Sequence, residues 1–83
     1  MKIMVTGAGG FVASHLIELL IKEGHDVCGL IRWYEDLHRL GKFQDKIRAI
    51  YADVNDLSSM INAIEEFKPD VISHLAAQSW VPF

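Results

Sequence analysis

Cysteine is nearly absent: Cys28 is the single one in 83 residues, so no disulfide can close within the chain. Because Cys28 lies in an apolar run, that scarcity points to a reducing compartment. An excess of charge is missing too. Eight basic against eleven acidic residues leave a net charge of −3, which gives no reason to expect nucleic acid or an anionic membrane surface as partner. No apolar run approaches the length of a membrane span, and Gly7, Gly9 and Gly10 interrupt any signal-peptide core. The plain expectation is a cytoplasmic protein. Internal repeats and low-complexity tracts are also missing. His15, His25 and His38 are too scattered for a metal site. Asp53 with Asp56, and Glu65 with Glu66, read as a turn and a solvated helix face rather than an acid–base pair. With 83 residues the chain is at most one small domain, and its 51% hydrophobic content is ample for a core.

The organising stretch is Met1–Ala13, MKIMVTGAGGFVA. It reads as a short buried strand (Ile3, Met4, Val5), a glycine turn, and the start of an amphipathic helix. That order is how α/β proteins hold a dinucleotide's pyrophosphate. One glycine allows a turn that a Cβ forbids, and another lets the backbone approach the phosphates. The helix N-terminus then offers unpaired N–H groups and the positive end of a dipole. The pattern G-x-G-x-x-G begun at Gly7 fails, since position 12 is Val12. The spacing T-G-x-x-G-x-x-G fits Thr6, Gly7 and Gly10, with Ala13 in the last glycine's place, a mild departure that loosens helix packing slightly. The bland alternative is a glycine-rich turn that holds no ligand.

Further along, Phe11–Glu23 reads as a helix with an apolar stripe of Val12, Leu16, Ile17, Leu20 and Ile21. Ser14, His15, Glu18, Lys22 and Glu23 are assigned to water, and Gly24 to the helix stop. A second strand is expected over Val27–Ile31, a short helical piece near Glu35–Leu40 ended by Gly41, and a third strand over Ile47–Ala52. Asp53–Asp56 is a capped turn opening a helix over Leu57–Phe67, which Pro69 ends. Val71–Leu75 is a fourth strand, expected to be buried. Strand–helix–strand returns this short imply parallel pairs with right-handed crossovers. The fold class is therefore α/β, the N-terminal half of a doubly wound parallel Rossmann sheet with strand order 3-2-1-4.

The end of the second strand chooses the cofactor. An acid there would bind the ribose 2′-hydroxyl of NAD, but this strand ends Leu30–Ile31–Arg32. Asp26 is at the wrong end, and Glu35 and Asp36 fall beyond the tip. The Arg32 guanidinium can grip a 2′-phosphate through two donors, so NADP is expected over NAD. A solvated surface arginine is the alternative. Asp53 can accept from the adenine amino group beside the Val54 N–H, or serve as an ordinary capping aspartate. The turn Leu75–Ser79 would pass the pyrophosphate and nicotinamide ribose, with small Ala76 and Ala77 permitting close approach or merely packing. Trp33 and Tyr34 border the adenine or pack the core. His74 reads as a satisfied core histidine.

Taken together, Thr6–Leu16 (TGAGGFVASHL), Arg32, Asp53–Val54 and His74–Val81 (HLAAQSWV) resemble the extended short-chain dehydrogenase/reductases, the NAD-dependent epimerase/dehydratase family. Arg32 with the AAQSWVP run is most similar to the GDP-mannose 4,6-dehydratases and 4-keto-6-deoxy-sugar reductases, which use NADP. The resemblance implies that Gly7, Ala8, Gly9, Gly10, Phe11 and Val12 hold the pyrophosphate. It implies that Arg32 and the turn from Trp33 to Glu35 surround the 2′-phosphate, and that Asp53 and Val54 bind adenine. Leu75, Ala76, Ala77, Gln78 and Ser79 would pass the ribose and nicotinamide. It further implies a nucleotide-sugar substrate, homo-oligomers, and hydride transfer from sugar C4 with a Tyr-x-x-x-Lys pair as base.

That pair is missing from these residues. Tyr34 precedes His38 and Tyr51 precedes Asn55 at the lysine's position. The expectation is that residues 1–83 form a partial NAD(P)-binding domain, the N-terminal piece of a longer enzyme, inactive alone. A non-catalytic NADP-binding or redox-sensing module and an inactive truncated product are the alternatives.

Overall fold

The computed structural model describes residues 1–32 and 37–75. Strands β1 (Lys2–Thr6), β2 (Asp26–Ile31), β3 (Arg48–Tyr51) and β4 (Val71–His74) form one sheet in the order β3-β2-β1-β4. Every pairing is parallel, with Val5 opposite Gly29 and Ser73, and Leu30 opposite Ile50. Helix α1 (Phe11–Lys22) links β1 to β2, and α2 (Leu57–Phe67) links β3 to β4. This is the expected order: the α1 crossover sets β2 beside β1, whereas the α2 crossover carries the chain from β3 past β2 and β1 to β4 at the opposite edge.

Two clusters sandwich the sheet because successive strand residues point to opposite faces. Ile3, Val5, Val27 and Ile31 meet Ala8, Ala13, Ile17, Leu37 and Leu40 on the α1 side. Met4, Cys28 and Leu30 meet Ala52, Ala63 and Phe67 on the α2 side. Strands covered on both faces read as unbroken apolar runs, as β1 and β2 do.

Helix α2 starts and stops on chemistry visible in the sequence. Asp56 Oδ1 accepts from the N–H groups of Ser58 (3.0 Å) and Ser59 (3.4 Å), and Lys68 closes the other end in a left-handed conformation. Glu18 and Lys22 pair at 3.3 Å on the outer face of α1. At the far edge of the sheet, Lys2 N–H donates to Asp70 Oδ2 (2.9 Å) while Asp70 N–H donates to the Lys2 carbonyl (2.7 Å), fixing the register of β4 on β1.

Four expectations need correction. The inner face of α1 is Ala13, Ser14 and Ile17, whereas Val12 is 66% exposed. Small residues face the sheet because the helix enters close to the strand end, and Ser14 satisfies its hydroxyl on the Phe11 carbonyl at 2.6 Å. The segment after β2, His38–Lys46, is 3₁₀: a first turn ends at Gly41 as expected, and a second turn that was not expected follows it. Gly41 takes φ 53°, ψ −122° at a kink between two helical turns. Glu35 and Asp36 lie outside the described residues. Finally, β4 is not buried: Val71 and Ile72 are more than two-fifths exposed. Among the described residues β4 pairs with β1 alone, so one edge lacks a neighbour. β3, at the other edge, is also largely exposed and one residue shorter at each end than Ile47–Ala52.

Cys28, central in β2, is fully buried. Burial pushes its thiol from the ordinary 9.0 up to about 11, with Arg48 opposing and Glu66 and Asp26 adding to the rise. The folded protein therefore resists thiol-labelling reagents near neutral pH and labels at the rate of unfolding, as a stopped labelling time course would show. The same shift has a defined sign. The neutral thiol is favoured in the folded state, so its contribution is complete below pH 9.0 and is lost as pH rises to about 11.

Candidate cofactor-binding site

The glycine turn is built from both sides. Gly7 takes φ 67°, a left-handed conformation that lets the chain reverse directly off β1. Gly10 N–H donates to the Gly7 carbonyl (3.0 Å), closing the turn. Ala8 N–H donates to the Leu30 carbonyl (3.1 Å), which fastens the turn to β2, and Ala8 is only 1% exposed.

Helix α1 follows at once. Its cap residue is Gly10, no side chain caps its first-turn N–H groups, and no acid occupies that turn. Phe11 and Val12 are exposed there. A helix start with open donors and no competing carboxylate suits an anion.

Thr6 completes the arrangement. Its side chain is fully buried, and Oγ1 accepts from Leu75 N–H (2.9 Å) and lies 2.9 Å from His74 Nδ1. This joins the end of β1 to the end of β4, on either side of the crevice where an open α/β sheet takes its ligand. His74 is therefore satisfied, as expected, although it lies at an exposed strand end rather than in the core.

The sequence-derived candidates converge where they are described. Gly7–Val12, Arg32, Asp53–Val54 and Leu75 all lie just past the carboxyl ends of the four parallel strands. Arg32 is half-buried beside Ile31. Asp53 is exposed, and its Oδ1 accepts from Asn55 N–H (2.9 Å) while its own N–H donates to Ser59 Oγ (3.1 Å). The turn-aspartate role is thus filled by one carboxylate oxygen. Val54 is half-buried. Trp33, Ala76, Ala77, Gln78 and Ser79 lie outside the described residues.

Sequence reasoning missed Gly29. It sits in β2 opposite Val5, and a Cβ placed on it would lie 2.7 Å from the Ala8 Cβ. A glycine inside a strand signals close backbone approach, which was the available clue. Beside the turn, a cleft between α1 and the 3₁₀ stretch is lined by Phe11, Ser14, His15, Glu18, Arg39 and Leu40. Among the described residues no group of acidic, histidine or cysteine side chains could hold a metal, and no helix is long and apolar enough to cross a membrane.

The model of the GDP-mannose 4,6 dehydratase family matches residues 4–83. The chain belongs to that family. It is 42% identical over 82 residues to a UDP-glucose 4-epimerase of Mycolicibacterium smegmatis, covering 94% of this chain and 26% of the relative. It is 38% identical over 90 residues to GDP-mannose 4,6 dehydratase 2 of Arabidopsis thaliana, covering 94% of this chain and 24% of that protein. Among solved structures, the UDP-glucose 4-epimerase of Thermus thermophilus, in complex with NAD, superposes with a TM-score of 0.82 at 32% identity. That superposition covers 98% of this chain and 25% of the other. The chain thus spans about a quarter of the length of the relatives it matches. The family's relatives are epimerases and dehydratases of nucleotide sugars, and the Rossmann reading of the sheet holds.

Proposed function

We propose that these residues are the NADP-binding part of a nucleotide-sugar dehydratase, epimerase or reductase, most similar to GDP-mannose 4,6-dehydratase. The observation that carries this reading is the pairing of the Gly7 turn and uncapped α1 start with a second strand whose carboxyl end runs Leu30–Ile31–Arg32. Asp26, the acid of β2, opens the strand at its opposite end, opposite Lys2. In this reading the N–H groups at the start of α1 receive the pyrophosphate, Arg32 grips the 2′-phosphate, and Asp53 and Val54 border the adenine. Leu75, held by Thr6, opens the run with Ala76, Ala77, Gln78 and Ser79 that this reading assigns to the ribose and nicotinamide. Trp33, next in sequence to Arg32, is assigned to the 2′-phosphate.

A dinucleotide held there would supply the hydride acceptor for oxidation of the sugar at C4. The chain's own residues orient the dinucleotide and do no proton transfer, since neither tyrosine here has lysine four residues on. The base, the sugar site and the homo-oligomer contacts then belong to sequence outside these residues, in a cytoplasmic protein. A non-catalytic NADP-binding module is supported by the same missing pair. Finding a Tyr-x-x-x-Lys in the reading frame past Phe83 favours the enzyme, and a stop codon there favours the module.

Titration with NADPH and NADH tests the cofactor assignment. NADPH is expected to bind the more tightly, and Arg32→Asp to weaken it by about tenfold to a hundredfold while leaving NADH little changed. A preference for NADH in the unaltered protein would sink the NADP reading. Binding of neither would sink the cofactor reading itself.

A further inference from the structure

Gly29 lies between Cys28 and Leu30, on the face of β2 that also carries Val27 and Ile31. Over that face sits Ala8, the buried residue of the glycine turn, held by its N–H on the Leu30 carbonyl at 3.1 Å. A Cβ on Gly29 would stand 2.7 Å from the Ala8 Cβ and 3.1 Å from Ile47 Cδ1. The first distance is shorter than packed carbons adopt; the second is tight. The two neighbours differ in how they can give way. Ile47 Cδ1 is the end of a rotatable side chain and swings aside. The Ala8 Cβ is one bond from the backbone, so it moves only if the turn moves.

We propose that Gly29 is a positioning residue for the dinucleotide: its missing side chain lets Ala8 seat on β2 and so aims the donors of the turn and of α1 at the pyrophosphate. This rests on the cofactor reading above. A methyl group at position 29 lifts Ala8, stretches its bond to Leu30, and tilts the N–H groups from Gly9 onward away from the phosphates. The effect falls on binding because the displaced backbone is itself the binding surface.

A double-mutant cycle tests it, in protein expressed from its complete natural reading frame, with NADPH affinity and thermal midpoint measured in parallel. Gly29→Ala is expected to raise the NADPH Kd by about tenfold. Adding Ala8→Gly removes the opposing carbon and should recover most of that loss, a strong non-additivity between residues in contact. Adding Ile47→Ala instead should recover little, because that contact relaxes without help. Should Gly29→Ala fail to fold, Ala8→Gly in the same chain must restore folding and binding together. The inference is overturned if Gly29→Ala binds NADPH as the unaltered protein does, if Ile47→Ala rescues and Ala8→Gly does not, or if the double variant stays unfolded. Failure of the unaltered protein to bind any dinucleotide overturns the cofactor reading and the inference with it.

Discussion

Gly7→Val is expected to abolish measurable dinucleotide binding at concentrations that saturate the unaltered protein. Gly7 takes φ 67°, a region that costs an ordinary L-residue about 1–2 kcal/mol and a β-branched one more. The chain relieves that strain by returning φ to negative values. The turn cannot then close, because Gly10 N–H must reach the Gly7 carbonyl at 3.0 Å and Ala8 N–H the Leu30 carbonyl at 3.1 Å. Both bonds hold the start of α1 over the strand end. Fluorescence titration with NADPH should show no saturation over the range that saturates the unaltered protein, with Gly7→Ala intermediate. Unchanged affinity in the valine variant would remove the turn from the binding site altogether.

Phe67→Ala carries the largest expected loss of stability. Phe67 closes α2 and is only 2% exposed, packed with Met4, Cys28, Leu30 and Ala63 on the far side of the sheet. Truncating a buried phenylalanine costs about 3–5 kcal/mol. A natural domain holds about 5–15 kcal/mol in all, so much of the margin goes with one ring. The Lys2 ammonium, 4.8 Å from the ring centroid, loses its aromatic partner as well. Urea denaturation of the variant should show a far lower midpoint. Ile61→Ala, on the same helix but 45% exposed, is the contrast and should shift the midpoint little. Equal effects from the two would mean that α2 does not pack on the sheet through Phe67.

These contrasts follow what local pattern can and cannot reveal. Unbroken apolar runs identified β1 and β2, because strands covered on both faces have no polar side to alternate with. The boundaries of α2 were legible to the residue because Asp56 and Pro69 act on their immediate neighbours. In the site, the glycine spacing from Thr6 to Ala13 located the turn, since an unusual dihedral leaves its mark on residue type. Arg32 and Asp53 could be placed at strand ends by counting. The hydrogen bond Asp53 already holds with Asn55 was one of the alternatives the residues left open.

Periodicity failed where a neighbour outside the segment decides burial. Val12 and Ser14 differ by half a helical turn, and only the close approach of α1 to the strand end puts the serine inside. Exposure of β3 and β4 depends on whether another strand lies alongside, which no residue of either strand encodes. Thr6 with His74 and Leu75, and Gly29 with Ala8, join residues about 70 and about 20 positions apart. The strands of the inner sheet and the glycine turn came from short-range sterics written into consecutive side chains. The aim of that turn depends on contacts that exist only once β2 and β4 are laid against β1.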